Sequence, residues 1–149
     1  MPFFLVAFSL LVGAWMSVAL VPELAQSRHA TADAEATSFI TYHQTVADWF
    51  VRNGGASGPP STAVLTFPPG YVLRPSWAHQ VVAGRLYSYT LASYRQPDGF
   101  ASAVAGVGSR ACLSERSGAP TAVCSYGAVP LPASVASAIA PGAILIVGR

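Results

Sequence analysis

Cys112-Leu-Ser-Glu-Arg-Ser-Gly118-Ala-Pro-Thr-Ala-Val-Cys124 is a turn-rich centre flanked by strand-like residues, and its ends are the two cysteines of the chain. Folding it about Gly118 sets Cys112 opposite Cys124, Leu113 opposite Val123 and Glu115 opposite Thr121. Directly opposed residues in a non-hydrogen-bonded antiparallel pair bring their Cβ atoms within disulfide range. The spacing therefore predicts a β-hairpin, with strands near 110–115 and 121–126, closed by a Cys112–Cys124 bridge. In the chain-entropy view that bridge contributes about 3 kcal/mol. The alternative is two buried free thiols acting as small apolar side chains. A bridge points to an oxidising compartment. The spacing is not that of a C-x2-C zinc half-site, and no histidine pattern accompanies it, so no metal is expected.

Reading outward from the hairpin, Pro132 opens a short helix over Ala133–Ala140 that Pro141-Gly142 closes. Ala143–Val147 reads as a buried terminal strand. On the other side, Phe100, Ala103, Val104 and Val107 recur at helical spacing, although Gly106 weakens that helix. Val81–Ser93 reads as one strand with Arg85, Tyr87, Tyr89 and Leu91 on one face. Residues 77–149 thus spell β-α-β-β-α-β, a small α+β domain of the ferredoxin-like kind or a related antiparallel sheet.

Residues 54–76 form a Gly/Pro-rich connector with one extended piece, Ala63–Phe67. It is too poor in polar residues for a disordered linker and should lie against the domain. Residues 23–53 read as an amphipathic helix. Leu24–Arg52 holds no Pro or Gly, and Phe39, Ile40, Val46, Ala47, Phe50 and Val51 share a stripe at helical period. Asn53-Gly54 then stops it. Phe39, Ile40, Val46 and Phe50 are the candidates for docking this helix on the body or on a partner.

Residues 1–22 read as a membrane anchor. Pro2–Pro22 carries no charged side chain, and about 20 apolar helical residues match the ~30 Å hydrocarbon core of a bilayer. The flanking charges orient it weakly. The bridge is the better guide, and puts the N-terminus in the cytoplasm and the body in the periplasm. Ser17-Val18-Ala19 offers the alternative of a signal peptide cleaved after Ala19. Against it, no Arg or Lys precedes the apolar run, and the run continues beyond Ala19.

Composition narrows the function classes. The 149 residues are 52% hydrophobic and 9% charged, with a formal charge of +2; the mean hydropathy is +0.46. All eight basic residues are Arg, scattered from Arg28 to Arg149, so no cationic stripe for nucleic acid is expected. His29, His43 and His79 stand in no arrangement with a nucleophile and an orienting carboxylate. Gly55-Ala56-Ser57-Gly58-Pro59 fails the G-x-S-x-G pattern, and Gly106-Val107-Gly108-Ser109 is too short for a dinucleotide loop. A non-catalytic protein without cofactor is expected, with its aromatic residues mostly in the core and any excess marking a protein-binding surface.

Several features together resemble the PilM family of type IVB (thin) pilus operons of conjugative plasmids and related bacterial systems. They are the small size, the apolar N-terminus, Phe39-Ile40-Thr41-Tyr42-His43-Gln44-Thr45-Val46, the Gly/Pro-rich connector, and the ending Leu131-Pro132-Ala133 … Ile139-Ala140-Pro141-Gly142-Ala143-Ile144-Leu145-Ile146-Val147-Gly148. The resemblance implies a single-pass inner-membrane component of pilus biogenesis, without known catalysis, whose partners are other pilus assembly proteins; a homo-oligomer is compatible with it. Two other readings stand beside it: a minor pilin or pseudopilin, which would need a basic leader this sequence lacks, and an exported protein-binding domain unrelated to pili.

Overall fold

The structure, a computed structural model, describes residues 2–54, 60–106, 111–114, 121–124 and 127–148, with the side chains of 2–25 and 114 outside that description. Helix α1 spans Pro2–Arg52. Two of its final turns are closed by the Asn53 amide on the Trp49 carbonyl (3.0 Å) and the Gly54 amide on the Val51 carbonyl (3.2 Å). Gly54 takes φ +67°, the left-handed conformation that ends helices and that glycine adopts without a Cβ clash.

The rest of the described residues form a six-stranded antiparallel sheet with two short helices. In chain order the elements are β1 (Trp77–Val82), β2 (Arg85–Thr90), α2 (Phe100–Gly106), β3 (Ala111–Ser114), β4 (Thr121–Cys124), β5 (Gly127–Pro130), α3 (Ala133–Ala136) and β6 (Ile144–Val147). The strand order is β1-β2-β6-β3-β4-β5. Between β3 and β4, Cys112 faces Cys124 and Leu113 faces Val123, and the cysteines are joined in a disulfide. The expected pairing of Glu115 with Thr121 lies outside the described residues.

Three departures from the sequence reading have physical causes. Val81–Ser93 is not one strand: Val81 and Val82 end β1, and Ala83-Gly84 turns the chain into β2. Both turn residues have positive φ, +50° and +73°, the requirement of a two-residue type I′ hairpin. Alanine at a position that favours Asn or Gly hid the turn. The second departure is strand order. In the split ferredoxin pattern the second strand of the β3–β4 hairpin would return between β2 and β3. Here β6 pairs with both β2 and β3, β4 lies outward, and β1 and β5 extend the two edges. The antiparallel α+β character holds; the ferredoxin order does not. Third, the C-terminal helix ends at Ala136 rather than Ala140, and the connector's Thr62–Val64 is a 3-10 turn rather than extended.

The sheet has two covered faces. On one, α1 and α2 pack Phe39, Ile40, Tyr42, Val46, Phe100 and Val104 against Trp77, Leu86, Ile144 and Ile146. On the other, Leu131 and Val135 cover Tyr87, Tyr89, Cys112, Cys124, Leu145 and Val147. All four residues of β6 are buried, which explains why Ile144-Leu-Ile-Val147 is continuously apolar rather than alternating.

Candidate functional site

Helix α1 carries all four candidate docking residues, Phe39, Ile40, Val46 and Phe50. Phe39 and Val46 are fully buried, and Ile40 and Phe50 nearly so, at 7% exposure each. Phe39 meets Trp77 edge-on at 5.3 Å and Phe100 at 6.0 Å. Val51, expected in the same stripe, is 74% exposed. Twelve residues turn a helix about 120° beyond a whole number of turns, so Val51 points well away from Phe39. The buried stripe instead continues N-terminally through Ala36 and Ala32 and takes in Tyr42. The connector lies on this helix: Phe67 stacks on Tyr42 at 6.1 Å and on Tyr71 at 4.6 Å, and the Tyr71 hydroxyl donates to the Ser38 carbonyl at 3.1 Å.

Beside this contact is a cleft of about 710 Å³, walled by Ala30, Ala34, Thr37 and Thr41 of α1 and by Pro69, Tyr71 and Val72 of the connector. Its charged corner is Glu35. One carboxylate oxygen pairs with the Arg74 guanidinium and the other accepts from the Tyr94 hydroxyl at 3.1 Å. Burial, reinforced by the Glu35 charge, raises the Tyr94 phenol above its ordinary range. Glu35 thus ties three segments far apart in sequence, the helix, the connector and the loop after β2. The Glu35 carboxylate is divided between guanidinium and phenol, and the cleft's hydroxyls on Thr31, Thr37 and Thr41 donate back to helix carbonyls. The chemistry this cleft offers is shape and modest polarity rather than a reactive group.

The histidines part company. His29 is exposed. His79 is buried on β1, with its Nδ1 2.6 Å from the Tyr42 hydroxyl and its Nε2 3.1 Å from the Pro60 carbonyl. His43 places its Nδ1 2.9 Å from the Ser88 hydroxyl, and burial lowers its pKa to about 4. Burial also lowers His79, with the Pro60 carbonyl acting in the opposite sense. A serine–histidine contact is present, but Ser88 is fully buried and no carboxylate is among the partners of the His43 ring in the described residues. Nor do three potential metal ligands converge among those residues. The stretch Gly55–Pro59 and most of Gly106–Ser109 lie outside the described residues.

Sequence reading missed Tyr42, Ser88, Glu35, Arg74 and Tyr94. Tyr42 was legible in principle, three residues beyond Phe39 and four before Val46. The Glu35 partners were not, since they depend on where two loops return.

Among the described residues no helix is long and apolar enough to cross a membrane. The side chains of Pro2–Pro22, on which both the expected anchor and the cleavage after Ala19 rest, lie outside the described residues.

Comparison with known proteins fits this architecture. No curated protein matches the chain. Among solved structures, the fold is similar to the crystal structure of a protein PilM from Escherichia coli B7A, with a TM-score of 0.58 and 18% identity over 80% of this chain and 93% of that one. At that identity the likeness is one of fold. The profile of the PilM family matches residues 7–147, from the apolar start of α1 to the last residue of β6. The chain belongs to the PilM family.

Proposed function

We propose that this protein is a non-catalytic inner-membrane component of type IVB pilus biogenesis, holding other pilus assembly proteins from the periplasmic side. The observation that carries the reading is α1 itself: one helix, Pro2–Arg52, whose second half forms part of the folded core. An apolar run at its start and a packed stripe at its end make tether and body a single unit. Ala32 is the first buried residue among the described side chains of α1, which begin at residue 26. Residues 23–31 then form a stalk of about 13 Å at 1.5 Å per residue, too short for the body to range far from the bilayer. Family membership supports the pilus context, and the Cys112–Cys124 bridge supports an oxidising compartment.

Cells lacking the protein, complemented with a form in which residues 1–22 are replaced by a cleavable signal peptide, test the reading. The released body should accumulate in the periplasm and fail to restore pili, while the full chain restores them and resists carbonate extraction. Restoration by the released body would overturn the tethered role. Leu11→Arg should impair insertion, at a cost of about 2.5–3.5 kcal/mol. A mature N-terminus found at Leu20 by mass measurement would support the exported reading instead.

A further inference from the structure

Within the largely apolar packing of α1 on the sheet, two side-chain hydrogen bonds form one polar island. Tyr42 and His43 are consecutive on α1, and His79 and Ser88 are directly opposed across β1 and β2. Two neighbouring residues of one helix therefore grip two neighbouring positions on adjacent strands, Tyr42 on His79 at 2.6 Å and His43 on Ser88 at 2.9 Å. Each grip contains an imidazole. The Pro60 carbonyl can only accept, so the His79 proton sits on Nε2, and Nδ1 presents a lone pair to the Tyr42 hydroxyl. This arrangement suits a neutral ring. A proton on Nδ1 would force the Tyr42 hydroxyl to turn its own hydrogen toward surroundings that include Phe39, Phe67 and Trp77, leaving a buried donor unmatched.

We propose that Tyr42–His79 and His43–Ser88 form an acid-sensitive latch. Neutral histidines hold α1 on the sheet, and their protonation releases the helix while the disulfide-braced strands stay paired. The inference stands whether or not the chain serves a pilus.

The groups facing the two rings are those a latch requires. From α1 comes Tyr42, on His79; from β2, Ser88, on His43; from the connector, the Pro60 carbonyl, on His79; after β6, Gly148, where a Cβ would lie 3.4 Å from His43 Cε1. None carries a charge at neutral pH. The nearest carboxylates in sequence on α1, Glu35 and Asp48, pair with Arg74 and Arg52, and among the described residues no carboxylate is a hydrogen-bond partner of either ring. Burial depresses both imidazoles, His43 to about 4. A released helix would return them toward about 6.5. The released state then binds more protons, and docking weakens as pH falls from about 6.5 toward 4. For His43 alone, the ratio of docked to released helix falls about 20-fold between pH 7 and pH 5.

Hydrogen exchange on the full chain in detergent micelles, with rates corrected for intrinsic pH dependence, tests this. Protection of amides 36–50 should fall at least about 20-fold between pH 7 and pH 5, while β2, β3 and β6 keep theirs. In the His43→Asn, His79→Gln double variant the acid-dependent loss should vanish. Unchanged protection of α1 would overturn the latch, and so would simultaneous loss from helix and strands, which is global acid unfolding. Should the double variant fail to fold, NMR titration of the wild-type rings decides: values at or above about 6.5 in the docked protein overturn the proposal.

Discussion

Replacing Phe39 by Ala asks whether the α1 stripe belongs to this domain's own core or to a partner. The ring is 0% exposed and is shared among Trp77, Phe100 and Tyr42, at centroid distances of 5.3, 6.0 and 6.5 Å. Removing a fully packed phenylalanine costs about 3–5 kcal/mol, transfer and cavity together. Each well-oriented aromatic contact accounts for about 0.5–1.5 kcal/mol beyond area. Urea unfolding of the full chain, followed by far-ultraviolet circular dichroism, measures the loss. With a slope near 2 kcal/mol/M, the midpoint should fall by roughly 2 M at unchanged slope. A domain of ordinary stability, about 5–15 kcal/mol, could be partly unfolded by this change. Phe39→Leu, which keeps most of the volume, should then report a smaller loss of about 1.5 kcal/mol. Val51→Ala, at a site 74% exposed, should change stability by less than about 0.5 kcal/mol. If Phe39→Ala costs under about 1 kcal/mol, the helix does not contribute to the domain's core, and the reasoning from burial is wrong.

Three further outcomes are expected. Cys112→Ser or Cys124→Ser should lower stability by about 2–5 kcal/mol, and thiol-blocked mass analysis of the native protein should find no reactive cysteine. Ala83→Asn should raise stability by about 0.5–1 kcal/mol, because Asn adopts the φ of +50° at less steric cost than Ala and completes an Asn-Gly type I′ turn. His43 binds a proton near pH 4 when folded and near 6.5 when unfolded, so its contribution is whole above about pH 6.5 and lost as pH falls toward 4. That drop is about 3 kcal/mol for the wild type and absent from His43→Asn, read from urea midpoints at pH 7 and 4.

What the sequence disclosed was what is local. The hairpin register followed from the placement of two cysteines about one glycine, and the second half of α1 from the lack of Pro and Gly between Leu24 and Arg52; that one helix runs from Pro2 through Gly13 and Pro22 did not. The continuous apolar run at Ile144–Val147 marked a strand covered on both faces. What it concealed depended on conformation or on distant returns of the chain. The Ala83-Gly84 turn uses a residue that dislikes its own backbone angle, so two strands were read as one. Gly127–Pro130 is an edge strand with little burial, so periodicity had nothing to register. The Glu35 cluster joins residues separated by 39 and 59 positions, and the Tyr42–His79 contact by 37. Three isolated histidines give no hint that two of them bridge α1 and the sheet.

The position of β6 bears on how this protein must be made. The last strand among the described residues is a central strand in space, hydrogen-bonded to β2 on one side and β3 on the other. Until it arrives, β1–β2 and β3–β4–β5 are two separate pieces with apolar faces and unpaired inner edges, the kind of surface that aggregates. Closure demands pairing across long sequence separations, which slows folding. The sheet can therefore form only once β6 has been made and is free to pair. A stop at Ile144 would remove the seam between the two pieces, and should give a protease-sensitive chain.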